Sequence, residues 1–153
     1  MPDRLGSRMP PELVQQHLLV QGGAFRRDWE FKNEGAKWRY FFILNKSPVA
    51  DDRLLVVTAT TKVQKTVRLF GSAVVVVNPR EYDSLEQESA VNCAMPEEKT
   101  KQEIMDAITR GDIHVIVPLP ESILVRILKA VETVTTITPK NKALILGQVD
   151  SQP

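Results

Sequence analysis

The chain has 153 residues, of which 42% are hydrophobic and 25% charged, and a net charge of +1. That length suits one domain with a core of its own, and the composition excludes wholesale disorder. The near-zero charge excludes a globally basic grip on nucleic acid, and the single cysteine, Cys93, excludes an internal disulfide.

No stretch approaches the roughly 18 apolar residues of a membrane span. The charged, Pro-rich start, Met1 to Pro11, lacks the apolar run of a secretory signal. A cytoplasmic protein without membrane contact is expected.

Residues 1–9 read as a loose tail. Pro10-Pro11-Glu12 opens a short helix with Leu13, Val14, His17 and Leu18 on one face, ended by Gly22-Gly23. Strands follow. Arg27, Trp29 and Phe31 alternate with Asp28 and Glu30, and Trp38 to Leu44 is aromatic and aliphatic apart from Arg39, as in a strand buried on both faces. Asn45 to Asp52 is a connecting loop, and Leu54 to Val57 a second apolar run ending in Thr58-Ala59-Thr60-Thr61. Val63 to Phe70 alternates as a further strand, Ala73 to Val77 is a third buried run, and Ser89 to Ala94 is a short strand.

The remainder reads as mainly helical. Pro96-Glu97-Glu98 marks a first turn, with Ile104, Met105 and Ile108 as the apolar stripe and Gly111 as the stop. Ile113 to Val117 is strand-like. A helix from Pro120-Glu121 carries Ile123, Leu124, Ile127, Leu128 and Val131 at helical spacing, and a last one runs from Pro139 to Leu146. The expected organisation is an N-terminal tail and short helix over 1–21, one domain over 22–148 and a loose tail over 149–153. Several short strands followed by helices point to an α+β fold, with a small barrel or curled antiparallel sheet and C-terminal helices.

The sequence contains no phosphate-binding loop, dinucleotide fingerprint, His-Glu-x-x-His motif or cysteine pair. No metal site and no cofactor is expected. His17 and His114 read as ordinary helix and strand residues, and Cys93 as a small core side chain.

Two segments carry more chemistry: Glu34-Gly35-Ala36-Lys37-Trp38-Arg39-Tyr40, and Thr58-Ala59-Thr60-Thr61-Lys62. Consecutive strands usually lie side by side. If these two are antiparallel, Arg39 at the start of one meets Thr60 at the end of the next, with Lys62 and Lys65 close by. A planar guanidinium and a hydroxyl suit a phosphodiester. The structural alternative is that Arg39 pairs with Glu34 or caps the sheet rim, and that the threonines are simply good strand formers.

The same segments resemble the two signature strands of the MazF/PemK-like toxins. There a Glu-x-Ala-Gly-x-Arg-Pro loop runs into an apolar strand, and the next apolar strand ends in Thr-Thr-x or Thr-x-x. Here the matching residues are Glu34, Ala36 and Arg39, then Phe41-Phe42-Ile43-Leu44, then Thr60-Thr61-Lys62. The resemblance covers roughly residues 22–70, extends loosely to Cys93, and departs from the family at Tyr40, in place of proline, and Lys37, in place of glycine.

The resemblance implies an SH3-like barrel and a metal-independent endoribonuclease that cuts single-stranded RNA by attack of the 2′-hydroxyl. It implies that Arg39 and Thr60 are catalytic, with Glu34 as base or as a partner fixing Arg39. Trp38 and Tyr40 would stack on bases, and Thr61, Lys62 and Lys65 would bind the RNA. It also implies a homodimer and a cognate antitoxin. The alternative on the same barrel is a non-catalytic nucleic-acid- or protein-binding module, favoured by Tyr40, Lys37 and the near-neutral charge. A third reading is an unrelated α+β domain whose Arg and Thr match by chance.

Overall fold

The computed structural model describes residues 10–31 and 35–147, and of residues 11, 28–31 and 35–38 the backbone alone. Seven strands form one antiparallel sheet: β1 (Ala24–Phe31), β2 (Gly35–Ile43), β3 (Arg53–Thr60), β4 (Val74–Val77), β5 (Ser89–Asn92), β6 (Glu97–Thr100) and β7 (Ile113–Ile116). The order is β4-β5-β3-β2-β1-β7, with β6 added to β3. Among the described residues five α-helices accompany it: α1 (Pro11–His17), α2 (Val63–Phe70), α3 (Lys101–Thr109), α4 (Glu121–Thr133) and α5 (Pro139–Leu146). Among the described residues no helix is long and apolar enough to cross a membrane.

β3 changes partner along one edge. Its first half, Arg53 to Val56, pairs with β6, while Ala59 and Thr60 pair with β5. The central strands explain their own composition. Tyr40 to Leu44 and Leu54 to Val57 are buried without alternation, because both faces of the sheet are covered.

One face carries Tyr40, Phe42, Leu44, Leu55 and Val57 against Ile123, Ile127 and Val131 of α4 and Ile145 of α5. Tyr82 meets Phe42 edge-on there, at 6.0 Å between ring centroids. The other face carries Phe25, Phe41, Ile43, Leu54 and Val56 against Val14 of α1 and Ile104, Ala107 and Ile108 of α3. Phe25 stacks on Phe41 at 5.0 Å.

Asn45, at the end of β2, is fully buried. Its Oδ1 accepts from the Leu55 N–H at 2.7 Å, and its Nδ2 donates to Arg53 O at 3.0 Å and to Asp51 Oδ2 at 2.8 Å. One side chain thus closes the 46–52 connection and fixes where β3 begins. Gln21 ties α1's exit to the far end of the chain, with Nε2 donating to Leu44 O at 2.8 Å and Ile145 O at 2.7 Å. Gly23 packs so tightly here that a Cβ would lie 1.8 Å from the Leu18 carbonyl oxygen.

Two segments differ from the sequence expectation. Residues 63–70, expected as a strand, form the helix α2. A strand would bury Leu69 beside Val67, yet Leu69 is 63% exposed. At helical spacing Thr66 faces inward, its hydroxyl donating to Lys62 O at 2.7 Å, and Phe70 packs on the core. The alternation of Val67 and Leu69 with Thr66 and Arg68 is therefore not the pattern that the fold buries.

Residues 97–100, expected as the first turn of a helix, form β6, and α3 starts at Lys101. The true start is a capping box. Thr100 Oγ1 accepts from the Glu103 N–H at 3.1 Å, and Glu103 Oε1 accepts from the Thr100 N–H at 2.8 Å. The Thr100 backbone N–H, and then its hydroxyl, hold the Glu103 carboxyl below the usual range. Its contribution to folding is therefore present at neutral pH and is lost as the pH falls through that lowered value.

Asn45→Ala leaves the buried Leu55 N–H without its acceptor and is expected to cost about 1–3 kcal/mol of stability. Urea unfolding checks this, and an unchanged midpoint would show that the loop closes without the amide.

Candidate active site

The β1–β2 register sets Arg27 directly opposite Arg39 and Phe25 opposite Phe41. The β2–β3 register sets Phe41 opposite Thr58 and Tyr40 opposite Ala59. One step further in that register sets Arg39 level with Thr60. Side chains alternate along a strand, so Arg27, Arg39, Thr58 and Thr60 all belong to the face that carries Phe25 and Phe41.

On that face a cleft of about 420 Å³ opens between the sheet and the β6–α3 segment. Phe25, Phe41, Ile104 and Ile113 give it an apolar lining, and Arg27, Arg39 and Thr58 line the sheet side. The opposite wall brings Glu97, Lys99, Glu103, Asp106 and Arg110. The ionisable lining is therefore four cations (Arg27, Arg39, Lys99, Arg110) and three carboxylates (Glu97, Glu103, Asp106).

Some of these charges are held locally. Arg110 Nε meets Asp112 Oδ2 at 3.0 Å, and Gln102 Nε2 donates to Asp106 Oδ1 at 2.8 Å. Arg27 and Arg39 are half-buried, and both are engaged by neighbouring groups. Thr60 Oγ1 accepts from the Lys62 N–H at 3.2 Å, which leaves its own proton to donate.

The structure divides the expected site residues. Arg39 lines the cleft, while Thr60 lies on the same face of the sheet, beyond Thr58, and is not among the lining residues. Thr61, Lys62 and Lys65 are exposed on the way into and along α2 and do not line the cleft. Tyr40 lies on the opposite face, 7% exposed, within the α4 and α5 core. Burial raises its phenol pKa, and Arg26, its partner across the strands, counters this from alongside. Tyr40 is thus a core residue, because it is one position out of phase with Arg39, and it does not present its ring to a base in the cleft. The Trp38 backbone pairs with Asp28 in the β1–β2 hairpin. The Trp38 side chain and all of Glu34 lie outside the described residues.

Arg27, Thr58 and the β6–α3 charges were not singled out from the sequence. Arg27 has the parity of Phe25, but that matters only once the hairpin register is known. Among the described residues no three His, Cys, Asp or Glu side chains come together as a metal site. His17 is exposed and His114 is buried on β7 opposite Arg26. The Cys93 thiol is buried, which pushes its pKa up to about 12, so it is a core group and not a nucleophile.

No protein-family model and no curated protein matches the chain. Solved structures do. An endoribonuclease in complex with its cognate antitoxin, from a mycobacterial species, aligns over 78% of this chain and 96% of that one, with a TM-score of 0.50 at 17% identity. The fold is that of this endoribonuclease. A MazE–MazF structure from Deinococcus radiodurans aligns over 74% and 92%, with a TM-score of 0.49 at 8% identity. At such identities the likeness is one of architecture: an α+β fold with a curled antiparallel sheet.

The placement of Tyr40 has a direct check. Tyr40→Ala is expected to lose about 3–5 kcal/mol, as for other large buried rings, whereas Tyr40→Phe keeps the packing and most of the stability. Thermal unfolding of the two variants measures this, and a Tyr40→Ala protein as stable as wild type would move the ring out of the core.

Proposed function

We propose that the chain is a metal-independent endoribonuclease that cuts single-stranded RNA, the toxin of a toxin–antitoxin pair acting in the cytoplasm. The observation that carries this reading is the convergence of Arg39 and Thr60 on one face of neighbouring strands, beside a cleft, in a MazF-like fold.

In this reading the ribose 2′-oxygen attacks the adjacent phosphorus. The O2′–P bond forms as the P–O5′ bond breaks, and a 2′,3′-cyclic phosphate and a 5′-hydroxyl result. The 2′-hydroxyl gives up its proton and the departing O5′ takes one. The part of Arg39 is to neutralise charge gathering on the non-bridging oxygens. The Thr60 hydroxyl donates to a phosphate oxygen or holds the attacking hydroxyl. Glu34, five residues before Arg39 in the sequence, is assigned as the proton acceptor or as the group that orients Arg39. Trp38 supplies stacking, and Thr61, Lys62 and Lys65 extend contact along the RNA beyond the cleft.

The partners follow from the same reading: a second copy of the chain and a cognate antitoxin that covers the cleft. The second reading, a binding module without catalysis, is favoured by one observation. Three carboxylates share the cleft with the four cations, which weakens its pull on a polyanion.

The deciding experiment is cleavage of a long single-stranded RNA in EDTA by wild type, Arg39→Ala and Thr60→Ala. Wild type is expected to leave 2′,3′-cyclic phosphate ends, and Arg39→Ala to lower kcat/KM by roughly 10²–10³-fold, as when one charge-stabilising donor is removed. A folded, inhibitor-free wild type that leaves the RNA intact would replace catalysis with the binding-module reading.

A further inference from the structure

We infer that Arg27 is a second phosphate-binding residue of the cleft, forming with Arg39 a two-arginine clamp on the RNA backbone. This rests on the RNA reading above and adds to it a residue that neither the sequence motif nor the proposed chemistry contains.

Three observations carry it. Arg27 and Arg39 are direct cross-strand partners on the same face, so their Cβ atoms lie about 4.5–5.5 Å apart. Both line the same cleft, together with the Thr58 hydroxyl. Both stand on inner strands of the sheet rather than on loops, and beside them on the same face Phe25 stacks on Phe41 at 5.0 Å. Like charges placed directly opposite in a sheet are unfavourable by themselves. The arrangement becomes favourable when an anion is shared between the two.

Each guanidinium offers five N–H donors in a planar fork. Both are engaged within the fold, and a phosphate at the cleft would join or exchange with those partners. The four cations exceed the three carboxylates of the lining by one, and Arg27 and Arg39 are the two that stand side by side on the sheet wall. A single strand whose scissile phosphate lies against Arg39 therefore brings the same or the next phosphate to Arg27. Arg27 holds the backbone before and during the reaction alike, so its interaction is expressed in binding more than in turnover.

The probe is a short mixed-sequence DNA single strand, which lacks the attacking 2′-hydroxyl and cannot be cut. Its dissociation constant is measured against salt for wild type and Arg27→Gln. The variant is expected to bind roughly tenfold to a hundredfold more weakly, the range for losing a charge-assisted hydrogen bond. The slope of log K against log salt should fall by about 0.7, one single-strand phosphate contact. A purely structural role for Arg27 would change stability and leave that slope alone. On cleavable RNA the greater part of the loss in kcat/KM should appear in KM.

A wild-type measurement stands beside the variant. The Arg27 Nε–Hε resonance should shift as the DNA strand is titrated into the native protein. A resonance that stays in place while that of Arg39 moves, or an unchanged salt slope in Arg27→Gln, overturns the clamp and leaves the ribonuclease reading intact. Binding without any RNA cleavage overturns the catalytic reading and keeps the clamp. A wild type that binds no single strand at all overturns both.

Discussion

Buried Asn45 holds β2 and β3 in one register. Through three hydrogen bonds it joins the end of β2 to the first residues of β3 and to the loop between them. A slip of one residue there would turn every side chain of β3 to the other face. Leu55 and Val57 would leave the core with α4 and α5, Leu54 and Val56 would leave the core with α1 and α3, and Thr58 and Thr60 would no longer face the side of Arg39. The two cores and the cleft are thus consequences of one pairing, and the same polar side chain protects all three.

The cleft inherits its chemistry from that division. The sheet contributes cations and hydroxyls at fixed alternation, while β6 and α3 contribute mixed charges from a separate stretch of chain. The two walls are tied together away from the site, by the Lys101 N–H donating to Asp52 O at 2.8 Å and its ammonium donating to Val49 O at 2.6 Å. The 46–52 connection that Asn45 closes therefore also anchors the start of α3. The carboxylates Glu103 and Asp106 ride on that helix, so the electrostatics of the cleft depend on how firmly the loop is held.

Much of this fold was legible in the sequence because its signals were unambiguous. The uninterrupted apolar runs at Tyr40 to Leu44 and Leu54 to Val57 fit strands covered on both sides, and Pro120 and Pro139 marked helix starts that the structure keeps. The errors came where composition and context disagree. Val63 to Phe70 has strand-like composition but forms a helix because Thr66 and Phe70, not Leu69, point inward. Pro96-Glu97-Glu98 imitates a first helical turn, while the Thr100-Glu103 box a few residues later is the actual start. At the site, the level of Arg39 with Thr60 follows from strand adjacency, but Arg27 and the β6–α3 wall depend on long-range pairing that no local pattern encodes.

The Gln21 side chain joins Leu44 to Ile145, and the second of these bonds spans 124 residues of sequence. Contacts between such distant segments slow folding, since a large loop must close before they form. The seam between the exit of α1 and the last helix therefore raises the mean sequence separation of the contacts that folding must bring together. Until it closes, the Leu44 and Ile145 carbonyls lack this donor, and the α5 side of the main core is open to water.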